Sequence, residues 1–221
     1  MSKILFVVTS CSEIDSNHPT GLWLEEYAVP YAAFRSAGFD VVTASPRGGP
    51  VPIDPRSREG VQADDAAVAA LAETCALHEV GDASQYDAIF IPGGHGAMFD
   101  LATSLSLKTL LSEFDAQGKL IVSLCHGPAA FVDAIRAGEP KTLVSGKTIA
   151  CFTDEEERAT GLASLMPYLL ASKLREQGAI VVENAPWKEH VEVDGRWITG
   201  QNPQSSAGVA KAVIAALGPK G

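Results

Sequence analysis

Long apolar runs are missing from this chain. No stretch of its 221 residues approaches the roughly 18 apolar residues that a membrane-crossing helix needs. Cysteine is scarce and scattered. Cys11, Cys75, Cys125 and Cys151 form no CxxC pair, so neither a zinc cluster nor a disulfide framework is expected. Basic charge is in deficit: 17 Lys and Arg stand against 27 Asp and Glu, giving a net charge of −10 with no basic run. Nucleic acid and anionic membrane are thereby excluded as main partners. No secretory leader is expected, because the opening MSKILFVVTSCSE turns polar too early for an h-region, and a cytoplasmic protein is expected.

What the chain does have is a soluble-enzyme composition, 46% hydrophobic and 20% charged, long enough for one good-sized core. Strand-like and helix-like segments alternate. Strands are expected at Lys3–Thr9, Asp40–Ala44, Ala88–Ile91, Leu120–Leu124 and Ala179–Glu183, with one or two more within Thr142–Phe152. Helices are expected in Thr20–Ala37 (with a kink or a start at Pro30), Asp64–Ala76, Lys108–Gln117, from Ala129 to about Ala137, Thr153–Thr160, Pro167–Gln177 and Ser205–Leu217. Ser10–Pro19 and Ser45–Gly60 read as loops, and His190–Thr199 as a hairpin around Asp194-Gly195. This order predicts one α/β domain over residues 1–221, a three-layer sandwich with a mainly parallel central sheet of flavodoxin-like type. Ligands then bind at the carboxyl ends of the strands, where Ser10–Gly21, Pro92–Met98 and Cys125–Pro128 lie.

The most informative stretch is LIVSLCHGPAAF, Leu120–Phe131. An apolar strand ends at Cys125, Gly127 permits a tight turn, and Pro128 suits a first helical position. This is the pattern of a nucleophile elbow with cysteine in place of serine. A helix start facing the thiol would favour thiolate. Upstream, Pro92-Gly93-Gly94-His95-Gly96 offers bare backbone N–H groups for an oxyanion. Glu26 shares a helix with the apolar Trp23 and Tyr27, so burial would raise its pKa. One of Glu155, Glu156 and Glu157 could orient His126.

Other motifs fail. Gly94-x-Gly96 lacks the third glycine of a dinucleotide fingerprint, since Phe99 stands there, and Gly146-Lys147-Thr148 lacks the upstream glycine of a phosphate loop, where Lys141 stands. His18 with Glu25 and Glu26 matches no metal-ligand spacing.

In combination, TGLWLEE (Thr20–Glu26), PGGHGAMFDL (Pro92–Leu101), CHGPAAF (Cys125–Phe131), FTDEEE (Phe152–Glu157) and DGRWITGQNPQSS (Asp194–Ser206) resemble the PfpI superfamily, with its class I glutamine amidotransferase-like fold. The similarity is to the branch of heat-shock-type chaperones and glutathione-independent glyoxalases (glyoxalase III). The resemblance implies Cys125 as nucleophile, His126 as its acid/base partner, Glu157 orienting that histidine and Glu26 against the thiol. It also implies an oxyanion hole at the N–H groups of Gly94 and His126, with His95 and Gly127 around the substrate. The implied reaction turns a 2-oxoaldehyde such as methylglyoxal into a 2-hydroxy acid, with no redox cofactor and no metal. Sulfur adds to the aldehyde, Glu26 moves a proton between the two carbons, and water activated by His126 releases the acid. The same resemblance implies a homodimer and a small-molecule carbonyl substrate.

Two other classes use the same cysteine. One is a cysteine amidase, peptidase or protein deglycase; a late His-x-Glu pair, His190-Val191-Glu192, formally fits an amidotransferase, although the segment reads as strand. The other is a holdase chaperone or oxidative-stress sensor, the chaperone version of which an exposed apolar patch around Ser45–Gly60 or at a dimer face would support.

Overall fold

A strand that is apolar at every position has two faces to bury. The computed structural model, which describes residues 2–59 and 65–218, places β1 (Lys3–Val7) in the middle of a sheet. Ile4 and Phe6 enter one core and Leu5 and Val7 the other, as expected for a parallel strand covered on both sides. In chain order there follow β2 (Glu13–Asp15), β3 (His18–Pro19), α1 (Leu24–Ser36), β4 (Asp40–Ser45), α2 (Asp65–Ala72), β5 (Cys75–Ala76), β6 (Ala88–Ile91) and α3 (Leu105–Ala116). The second half contains β7 (Leu120–Leu124), β8 (Thr148–Ile149), α4 (Asp154–Thr160), α5 (Leu170–Glu176), β9 (Ile180–Val181), β10 (Val191–Asp194), β11 (Trp197–Gly200) and α6 (Ser206–Leu217).

Seven strands form the main sheet in the order β10-β11-β7-β6-β1-β4-β5. All neighbours are parallel except the β10–β11 hairpin. Its five inner strands, taken from the β4 side, run second, first, third, fourth, fifth in chain order, which is the flavodoxin-like winding. The α1 and α6 helices pack together over one face, where Tyr27, Phe34, Val209 and Val213 meet Phe6, Phe90 and Val122. On the other face Leu107, Leu111 and Phe114 of α3 and Leu174 of α5 join Leu5, Ile89 and Ile121. Among the described residues no helix is long and apolar enough to cross a membrane.

Several expectations shift. No α-helix follows Cys125: Gly127–Phe131 is a 3-10 turn, and Val132 is already extended. All five residues of that turn are buried, and Phe131 packs edge-on to Trp197 at 5.0 Å between ring centroids. A segment buried all round has no amphipathic face to carry a longer helix outward. The Ala-rich helix ends at Ala72, and Cys75–Ala76 becomes an edge strand on β4; pairing overrides alanine's helix preference there. Asp64 lies outside the described residues. Pro30 does not break α1, although it has no N–H to give the Glu26 carbonyl one turn earlier.

Candidate active site

Cys125 stands at the corner after β7 with φ +56°, in the left-handed region that non-glycine residues rarely enter. Two neighbours hold it there. Its N–H donates to the Gly200 carbonyl at 3.0 Å, and its carbonyl accepts from the Phe152 N–H at 2.9 Å. The flanking glycines let backbones meet behind the corner. A Cβ on Gly127 would lie 2.1 Å from the Ile91 carbonyl oxygen, and one on Gly93 would lie 2.5 Å from the His126 nitrogen. Gly94 has φ +100°, and a Cβ there would strike the Gly21 carbonyl oxygen at 2.2 Å. Gly94 and Gly127 are not among the residues that line the cavity over the thiol. Their contribution is close approach: Gly93 and Gly94 dock against the chain entering α1, where the Trp23 N–H reaches the Gly93 carbonyl at 3.1 Å.

That docking brings Glu26, in the first turn of α1 and fully buried, up to the cysteine. The Gly93 N–H donates to Glu26 Oε2 at 2.7 Å. Oε1 is buried without a hydrogen bond of ordinary geometry, and the Cys125 thiol is the group that interacts with this carboxyl. Burial pushes the Glu26 pKa up to about 8, against the lowering effect of the thiol and the Gly93 N–H. The cysteine is shifted the other way from the sequence expectation. Burial, and then the Glu26 carboxyl, raise its pKa well above the usual thiol value, while the His126 N–H lowers it only in part. With only a short 3-10 turn beyond the corner, no helix dipole offsets this. The resting pair is a thiol beside a carboxylic acid.

On the other side of the sulfur, His126 Nδ1 lies 3.4 Å from Cys125 Sγ, and Nε2 lies 2.6 Å from Glu157 Oε2. The second oxygen of Glu157 receives His95 Nε2 at 2.9 Å. Beyond it, Arg56 Nη2 reaches His95 Nδ1 at 3.3 Å, and Arg56 forms a bidentate pair with the buried Asp54 at 2.9 and 2.6 Å. Burial works against the charge on Glu157, but hydrogen bonds from His126 and His95 outweigh it and hold its pKa below the carboxylate range. Burial, and then His95, depress the His126 pKa to about 4, so that imidazole is neutral at pH 7.

Of the three consecutive glutamates, Glu157 meets the histidines. Glu156 closes the capping box with Thr153 and accepts from the Trp187 N–H and the Gln201 and Asn202 amides. Glu155 is exposed. His190 has Glu192 at 2.9 Å on the hairpin, and no contact joins it to Cys125 among the described residues. His18 pairs with Asp15 at the surface, away from Glu26.

His95, His126 and Glu157 present donor atoms within 4.8 Å of one another, a spacing compatible with a metal ion. The hydrogen-bond directions oppose it. Arginine only donates, so His95 Nδ1 must accept and its proton sits on Nε2, facing Glu157 in place of a lone pair.

The cavity over the thiol has a volume of about 230 Å³. Trp23, Phe152 and Trp187 form its aromatic wall, with Arg56 and Thr160 at its edge. The Phe152 ring lies 4.3 Å from the His126 ring and 5.6 Å from that of Trp187. The roles of Arg56, Asp54, Phe152 and Trp187 were not visible in the sequence. Arg56 lies in the aperiodic Ser45–Gly60 excursion, and only its attachment to a buried aspartate marks it. No exposed large apolar side chain falls within residues 45–59, so the patch that would support a chaperone is absent from the described part of that excursion.

The model of the DJ-1/PfpI family matches residues 20–216. Glyoxalase 3 of Candida albicans is 32% identical over 98% of this chain and 99% of its own length. A glutathione-independent glyoxalase of Schizosaccharomyces pombe is 32% identical over 88% of this chain and 86% of its own. The crystal structure of glyoxalase III from Candida albicans superposes with a TM-score of 0.87 at 29% identity, covering 97% of both chains. From the family match and these near end-to-end similarities, the chain belongs to the DJ-1/PfpI family.

Proposed function

We propose that this chain is a cysteine-dependent, glutathione-independent glyoxalase that converts methylglyoxal-type 2-oxoaldehydes to 2-hydroxy acids, acting in the cytoplasm as a homodimer. One observation carries the reading: a buried carboxyl group with a pKa near neutrality against the thiol, Glu26 on Cys125. A hydrolase needs a nucleophile, a base and oxyanion donors. It does not need a second base beside the sulfur, whereas moving hydrogen between adjacent carbons does.

In this reading the thiol and the carboxyl lose one proton between them, and that singly ionised pair starts the reaction. Cys125 sulfur attacks the aldehyde carbon while the Glu26 carboxyl holds the thiol's proton. Glu26 gives that proton to the new oxyanion, beside the His126 N–H, and a hemithioacetal forms. The carboxylate, now at the carbon, removes its hydrogen as a proton, and the electron pair enters the neighbouring carbonyl to give an enediol. Glu26 returns the proton to the second carbon. The first hydroxyl loses a proton equal to the one its neighbour's oxygen gained, leaving a 2-hydroxyacyl thioester. His126 Nδ1, as neutral imidazole, takes a proton from water; hydroxide adds to the thioester, and the thiolate leaves and is reprotonated. The sum is methylglyoxal plus water to lactic acid. One carbon is oxidised and its neighbour reduced.

The test is lactate formation from methylglyoxal by the purified protein without glutathione. Turnover is expected, with kcat/KM rising with pH through about 8 as the Glu26–Cys125 pair ionises. Absence of turnover, with hydrolysis of amides or peptides instead, would overturn the assignment.

A further inference from the structure

We propose that Arg56, clamped by Asp54, is a positioning residue that keeps a proton off His95 Nδ1, so that His95 stays an Nε2–H donor and Glu157 remains available to support His126. The inference rests on the proposed reaction, in which His126 Nδ1 takes the proton from the water that opens the thioester.

Arg56 forms its bidentate pair with Asp54 through Nε and Nη2. Asp54 is itself fully buried and also accepts from the Thr20 hydroxyl. The clamp leaves one Nη2 hydrogen for His95 Nδ1. Because guanidinium has donors and no acceptor, His95 can only accept there and must carry its proton on Nε2. That proton meets Glu157 Oε1, whose companion oxygen takes the Nε2 proton of His126. The sole place left for the His126 lone pair is Nδ1, which faces the Cys125 sulfur. Glu157 thus sets the tautomer that the general base requires, and the cation at the far end keeps His95 from competing for that carboxylate as a charged partner.

The groups facing the His95 ring are Arg56 from the turn at residues 55–57, Glu157 from α4, the His126 ring at 4.1 Å and the Phe152 ring at 6.2 Å. Glu157 is the one anion in direct contact, and it would welcome a second proton on His95. Only Arg56 stands where that proton would go. Without Arg56, His95 Nδ1 is open to a proton; a cationic His95 would draw Glu157 into an ion pair, and His126 would lose the partner that supports its basicity.

Imidazole nitrogen–hydrogen correlation spectra and pH–rate profiles with methylglyoxal test this on the full chain and on Arg56→Ala, Arg56→Gln and Arg56→Lys. In the wild type, both His95 and His126 are expected as the neutral Nε2–H tautomer near pH 7. In Arg56→Ala, His95 should no longer show Nε2–H as its single protonation form, and the acid limb of kcat, where thioester hydrolysis by His126 counts, should move up by about one pH unit, the scale expected for removing a nearby charge. Arg56→Lys should restore most of the wild-type limb. If Arg56→Ala does not fold, the contrast between Gln, which keeps a donor without charge, and Lys decides the point: Lys alone should hold the limb. Unchanged His95 signals together with an unmoved acid limb would overturn the proposal, as would a uniform loss of rate at every pH. Failure of the glyoxalase reading looks different: the wild type makes no lactate, while the imidazole spectra still report the chain.

Discussion

At the residue scale the account turns on a shared proton. Burial raises the pKa of both Cys125 and Glu26, and the Glu26 carboxyl raises that of the thiol further, so neither is ionised in the resting site. Removing the sulfur with Cys125→Ala is expected to lower kcat/KM by several orders of magnitude, as loss of a nucleophile does when its partners cannot substitute. Glu26→Gln keeps the shape and removes the base. Its expected loss is about 10²- to 10⁴-fold in kcat, with little change in KM, measured by initial rates of lactate formation. Cys125 stood out in the sequence by its strand-to-helix corner, whereas the place of Glu26 against the thiol followed only from the family resemblance. The sequence misjudged the thiol's charge, since that depends on the neighbour brought to it from α1 and on a helix that turned out to be one short turn.

At the scale of elements, the site is assembled by backbone contacts that side-chain patterns do not report. Gly127 lets the corner lie on the end of β6, where any Cβ would meet the Ile91 carbonyl. Gly127→Ala is expected to destabilise the fold by about 1–3 kcal/mol and to shift the corner, measured by urea denaturation and by turnover. The α4 helix shows why three adjacent glutamates were indistinguishable in sequence: Glu156 is fixed by donors 31 to 46 residues further on, and Glu157 by histidines 31 and 62 residues before it. Glu156 is buried under donors from Thr153, Trp187, Gln201 and Asn202. Glu156→Ala orphans those donors and should cost about 3 kcal/mol or more. Glu155→Ala, at an exposed position, should stay within about 0.5 kcal/mol. The QNPQSS segment, legible only as a motif, is thus the lock on the helix that carries Glu157.

For the whole molecule, the strand-helix alternation was legible because each inner strand is apolar on both faces. The partners of Ser45–Gly60 were not, because they depend on which segments meet across the sheet. Burying Glu26 has a measurable consequence for the entire fold. Its folded pKa of about 8 lies above the ordinary 4.5, so between those values the native state holds a proton that the unfolded chain has lost. Its contribution to stability is full below pH 4.5 and falls as pH rises towards 8, by about 1.4 kcal/mol per pH unit at most. His126, with its pKa depressed to about 4 from 6.5, acts in the opposite sense, its contribution being lost as pH falls from 6.5 towards 4. The difference between Glu26→Gln and wild type removes that second effect. Urea denaturation should show the variant gaining on the wild type as pH rises from 4.5 to 8, and no further.

The central claim is that turnover passes through Cys125. Acid-quenching the enzyme during turnover of methylglyoxal and weighing its peptides tests this directly. The account predicts an adduct of one methylglyoxal mass on the peptide bearing Cys125, present during turnover, gone when substrate is exhausted, and missing from Cys125→Ala. Lactate formation by Cys125→Ala at the wild-type rate, with no adduct on Cys125 in the wild type, would contradict it.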